Sequence, residues 1–148
     1  ESCMYRVLLP IDESDERASA QAQAVAALPA DDDVVVTLLH VYKGMDESGL
    51  PDVLDLSAAK AACAVLDRYA VEGERAFGDP AEEIVRVADK IGADVIVLGG
   101  RKRSKLGSLL FGSVSQAVTL HADRPVMITG SEIEAEVGDK PPAYGEVS

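Results

Sequence analysis

Short runs that are apolar on both faces alternate with helix-length segments along most of this chain. "YRVLLPI" (Tyr5 to Ile11), "VVVTLLHVY" (Val34 to Tyr42) and "ADVIVLGG" (Ala93 to Gly100) are continuously apolar rather than alternating in polarity. Such strands must be covered above and below, which a parallel sheet between two helical layers provides. "VEGERAF" (Val71 to Phe77) and "PVMITG" (Pro125 to Gly130) read as further strands. Between them lie helical patterns. The first has Ser14 or Asp15 as its cap, alanines at helical spacing, and Pro29 as its end. The second covers "SAAKAACAVLDRYA", Ser57 to Ala70. Asp79 caps the third, with Pro80 in its first turn and Gly92 as its stop. The fourth, "SVSQAVTLHA", opens at Gly112-Ser113, with Ser113 as a capping candidate. Lys43 to Leu56 reads as a loop. The order β-α-β-α-β-α-β-α-β predicts an α/β, Rossmann-like fold: an open five-stranded parallel sheet with right-handed crossovers and helices on both faces.

The chain has 148 residues, the size of one domain. Hydrophobic residues make up 47% and aromatic ones 4%, so the expected core is aliphatic. No apolar run approaches the roughly 18 residues of a membrane span. The start carries no basic-then-apolar export pattern. Cys3 and Cys63 form no CxxC and no metal-ligand spacing, which gives the expectation of a reducing, cytoplasmic setting. A net charge of -12 argues against nucleic acid or an anionic membrane as partner. Residues 131–148 turn polar and aperiodic with two prolines, and read as a mobile C-terminal tail behind a domain of residues 4–130.

In an open parallel sheet, ligands sit beyond the C-terminal strand ends, where strand order reverses. Asp12, Val41 with Tyr42, and the segment from Gly99 onward occupy those positions. "GGRKRSKLGSLLFGSVS" places Arg101, Lys102, Arg103 and Lys105 between two glycine sites, inside an acidic chain. Gly99 and Gly100 permit close approach, and the helix starting near Gly112-Ser113 offers unpaired N–H groups and partial positive charge. This fits an anion, with a nucleotide phosphate chain as its natural occupant. The same residues also fit a turn, a capped helix and a solvated basic face. Asp12 likewise fits either a helix cap or a hydrogen bond to ribose or adenine. The sequence contains no GxxxxGK[ST], no GxGxxG after the first strand and no GxSxG elbow. His40, His121 and Cys63 read as structural.

"YRVLLPIDESDERA", "LLHVY", "GDPAEEIVRVADKIGADVIVLGG" and "LLFGSVSQAVTLHADRPVMIT", in that order and spacing, resemble the universal stress protein family over Met4 to about Gly130. The resemblance implies strand order 3-2-1-4-5 and homodimers paired through the last strand, here Pro125 to Thr129. One branch of the family binds ATP through G-2x-G-9x-G-[ST]. Gly99 and Gly112-Ser113 match its ends, but Lys102 stands where its middle glycine falls. A Cβ there is awkward where glycine lies against phosphate, whereas an ammonium can hold phosphate as a point charge. The implied nucleotide-binding set is Pro10, Asp12, Val41, Gly99, Arg101, Lys102, Gly112, Ser113, Val114 and Ser115. The implied ligand is ATP, or AMP or ADP, with Mg²⁺ or Mn²⁺ arriving on the nucleotide rather than held by a protein cage. The expected function is regulatory nucleotide binding without efficient catalysis. The alternatives are a nucleotide-free dimeric interaction protein and a slow ATPase.

Overall fold

The computed structural model describes residues 4–28, 33–44, 48–100 and 112–130. Five strands form one sheet: β1 (Tyr5–Pro10), β2 (Val34–Tyr42), β3 (Ala70–Phe77), β4 (Val95–Gly99) and β5 (Val126–Thr129). Their order is β3-β2-β1-β4-β5 and every neighbouring pair is parallel, as the alternation of elements and the family resemblance led one to expect.

Side chains of β1 alternate between two cores. Val7 and Leu9 pack with α1 (Asp15–Ala26) and α2 (Ser57–Val65) on one face. Leu8 packs with α3 (Pro80–Ile91) and α4 (Ser113–His121) on the other. All three β1 residues are fully buried, so both faces of the strand are indeed covered. The α1 contact face is Ala18, Ala22 and Val25, and that of α2 is Ala58, Ala59 and Ala62. These small side chains at helical spacing let the two helices pack closely against each other and the sheet.

Local chemistry fixes the helix ends. Ser14 is the cap of α1, its Oγ accepting the Arg17 N–H at 3.1 Å. Asp79 caps α3 by accepting the Glu82 N–H at 3.0 Å, with Pro80 first in the helix. Gly92 ends α3 in the left-handed region, at φ 66°, where a side chain would be strained.

Between β2 and β3 the structure corrects the sequence reading. The helix expected over Ser57 to Ala70 stops at Val65, with the fully buried Leu66 as its cap. Ala70 instead begins β3, opposite Val35. Continuing the helix would forfeit the start of an eight-residue ladder along β2, so tertiary pairing overrides local helix propensity. The segment expected as plain loop also holds a short 3₁₀ turn, Val53–Asp55, which buries Val53 against the α1–α2 core.

Candidate functional site

Strand order reverses between β1 and β4, because the chain leaves β1 toward β2 on one side and returns to β4 on the other. The two strands pair at Val7↔Val95 and Leu8↔Ile96. Toward their C-terminal ends a side chain takes over the bridging. Gln21 of α1, only 2% exposed, donates from Nε2 to the Pro10 carbonyl at 2.7 Å and to the Val97 carbonyl at 3.1 Å. One buried amide thus spans the strands and satisfies a buried acceptor on Val97 and a half-buried one on Pro10, which would be costly to leave unpaired.

Above this bridge lies a cleft of about 760 Å³. Pro10, Asp12, Val41, Gly99, Gly112, Val114 and Ser115 all line it, brought from three strand ends and the start of α4. Ser113 is the exposed first residue of α4 and is not among the lining residues. Arg101 and Lys102, with the rest of the basic segment, lie outside the described residues.

Asp12 is held in a closed set of contacts. Its Oδ1 accepts the Ser14 N–H at 2.9 Å. Its Oδ2 accepts Arg17 Nε–H at 3.1 Å and Nη2–H at 2.9 Å. Ser14 Oγ in turn accepts the Arg17 N–H. Asp12 is therefore not the α1 cap; it positions the residue that is. The Arg17 stem crosses Gly99: a Cβ at position 99 would lie 3.0 Å from Arg17 Cγ and Cδ and 3.1 Å from Gln21 Oε1. Glycine eases this close approach through its missing Cβ rather than through a positive φ.

At α4 the cap is Gly112, in extended geometry and without a side-chain cap bond. The candidate cap Ser113 is instead the first helical residue. A glycine cap covers none of the first-turn N–H groups, so the helix start presents them uncovered by a cap side chain toward the cleft. Ser115, in the first turn, is 7% exposed.

The β2 end adds an aromatic wall. His40 Nδ1 lies 3.0 Å from the Ile11 carbonyl. A carbonyl can only accept, so Nδ1 carries the proton. The His40 ring meets Tyr42 edge-on at 4.6 Å, and Tyr42 stacks on Phe77 at 5.6 Å. The buried Tyr42 hydroxyl has no hydrogen-bond partner among the described residues. Charged side chains on the described cleft wall are Asp12 and Glu13 against Arg17 and Lys43.

Arg17, Gln21 and the packing of His40 and Phe77 around Tyr42 are the site features that sequence reasoning missed, whereas Tyr42 itself stands at a strand end and does line the cleft. Arg17 and Gln21 carried a legible signal: they are polar residues four apart, on the same side of an otherwise alanine-lined helix. Among the described residues no group of three or more His, Cys, Asp or Glu side chains could hold a metal ion, and no helix is long and apolar enough to cross a membrane.

Comparison with known proteins gives this architecture its context. The model of the universal stress protein family matches residues 4–130. The stress response protein NhaX of Bacillus subtilis is 49% identical over 51 residues, a local match spanning 34% of this chain and 31% of that protein. Universal stress protein G of Escherichia coli O157:H7 is 28% identical over 141 residues, covering 84% of this chain and 99% of its own. Among solved structures, a universal stress protein in complex with cAMP superposes with a TM-score of 0.63 at 23% identity, covering 88% of this chain and 100% of that one. The universal stress protein of Archaeoglobus fulgidus in complex with dAMP gives 0.56 at 24% identity, covering 84% and 97%.

Proposed function

This chain belongs to the universal stress protein family, and from that membership we propose that it is a regulatory protein binding an adenine nucleotide, ATP foremost, in the cleft between β1, β2, β4 and α4. The observation that carries this reading is the convergence of Asp12, Val41, Gly99 and the glycine-capped start of α4 on one cleft of nucleotide size. The cAMP- and dAMP-bound relatives support the same ligand class. In this reading Asp12 accepts from the ribose, Val41 and Pro10 border the adenine, and the first-turn N–H groups of Ser113, Val114 and Ser115 receive phosphate. Arg101 and Lys102 supply cationic charge to the outer phosphates. A divalent ion, Mg²⁺ or Mn²⁺, arrives on the triphosphate. The sequence supplies no Walker-type lysine, which favours binding over turnover.

Assembly belongs to the same reading. Among the described residues β5 is an edge strand whose Val126, Met127 and Ile128 are only half-buried, and such an apolar edge suits pairing with a second copy. Sedimentation at micromolar concentration should give a homodimer; a strict monomer refutes this part.

The deciding experiment for the ligand is mass spectrometry of nucleotide released from protein purified without added ligand, followed by calorimetric titration with ATP, ADP and AMP. Micromolar binding of at least one is expected. No binding by any of them would favour the second reading, a nucleotide-free dimeric interaction protein. That reading is motivated by Lys102 standing at the motif's middle glycine.

A further inference from the structure

We infer that Arg17 is a specificity-determining residue that leaves Asp12 free for a single sugar hydroxyl, so that the site takes ribo- and 2′-deoxyribonucleotides alike. The inference rests on the nucleotide reading above and concerns which sugar that site accepts.

A carboxylate offers about four lone-pair positions on two oxygens. A ribose cis-diol fills such a group best when its two hydroxyls donate to separate oxygens. Among the described residues three positions are already used: Ser14 N–H on Oδ1, and Arg17 Nε–H and Nη2–H on Oδ2. What remains is one position on Oδ1, enough for one hydroxyl. A second hydroxyl therefore gains nothing at Asp12 unless the guanidinium leaves.

The surroundings hold Arg17 in place. Its backbone N–H is tied to Ser14 Oγ in the first turn of α1, and its Cγ and Cδ lie across Gly99, 3.0 Å from where a Cβ would sit. The side chain is 28% exposed against 55% for Asp12, so the arginine is the more confined partner. Its fork–carboxylate geometry is directional and charge-assisted, which a sugar hydroxyl does not match. The guanidinium has five N–H donors, of which two are directed at Asp12.

The test is calorimetric titration of the full chain with ATP and 2′-deoxy-ATP, for the native protein and for Arg17→Met, whose unbranched stem still covers Gly99. The native protein should bind the two nucleotides within about threefold of each other. Arg17→Met should favour ATP by tenfold or more, the scale of one added hydrogen bond to a charged group. Thermal unfolding without ligand checks the fold, and Arg17→Gln serves if Arg17→Met does not fold. Native protein that binds ATP but rejects 2′-deoxy-ATP by tenfold overturns the inference and leaves nucleotide binding standing. So does an unchanged ratio in a folded Arg17 variant. Native protein that binds neither nucleotide overturns the ligand reading and this inference with it.

Discussion

The backbone N–H of Gly100 donates to the Thr129 carbonyl at 2.8 Å, and the two backbones come so close that a side chain on residue 100 would collide with that carbonyl. The contact extends the β4–β5 ladder one residue past Gly99↔Thr129, just where the chain enters the basic segment. Gly100→Ala must push β5 aside or lose the bond. We expect a loss of about 1–3 kcal/mol, the usual cost of overpacking. That corresponds to a fall in Tm of several degrees for a chain of this size. Differential scanning calorimetry would show it, and an unchanged Tm would mean that β5 yields freely.

Asp12→Ala should weaken ATP binding by about tenfold or more, because a charge-assisted hydrogen bond to the ligand is lost. The fold should survive, since an exposed ion pair contributes about 0–1 kcal/mol and the α1 cap is Ser14, not Asp12. Titration calorimetry beside a thermal melt separates the two effects. Full affinity in a folded Asp12→Ala protein would reduce Asp12 to a local brace for Ser14 and Arg17.

Lys102 tests what the departure from the family motif means. If its charge stands in for glycine's backbone access, Lys102→Glu should greatly weaken ATP binding by setting like charge beside the phosphates. Lys102→Gly should still bind, with a weaker dependence on salt, because less of the attraction is screened over the Debye length of about 10 Å at 0.1 M. Titrations at low and high salt decide. Binding gained only by Lys102→Gly would identify the lysine as a block.

Cys63 sits on α2, partly buried against the α1–α2 core, and burial raises its thiol pKa above the ordinary value. The sign is that of a group whose neutral form the fold prefers. At a given alkaline pH less thiolate forms in the folded than in the unfolded chain, and stability falls as pH rises from the ordinary thiol pKa toward the raised one. In a Cys3→Ser background, alkylation by iodoacetamide near pH 8 should be slower than for a free cysteine and should accelerate on unfolding. Equal rates in both states would contradict the burial.

What the sequence made legible depended on how local each determinant is. Doubly apolar strands such as Tyr5 to Ile11 identify a covered parallel sheet, because nothing else can bury both of their faces. Asp79, Pro80 and Gly92 mark both ends of α3 through chemistry confined to one turn. The end of α2 was not legible, since Val65 stops the helix only because Ala70 finds Val35 on a neighbouring strand. At the site, Asp12, Val41 and Gly99 could be placed from position in the topology alone. The pairing of Arg17 with Asp12 could not, because it depends on the orientation that α1 adopts over β4. The cap of α4 lies one residue before the candidate Ser113, since Gly112 can cap without a side chain.

The Gln21 bridge has a consequence for motion. The gap between β1 and β4 is spanned at the cleft floor by one side chain rooted in the first helix and buried to 2% exposure. Any occupant that pries these strand ends apart must strain bonds inside the hydrophobic interior, and the disturbance passes straight into α1. An occupant that fits the existing gap leaves those bonds intact and damps the opening fluctuations of the whole β1–α1–β4 unit. Hydrogen–deuterium exchange along α1, on the side of the helix away from the cleft, thereby becomes a remote gauge of how well a ligand fits.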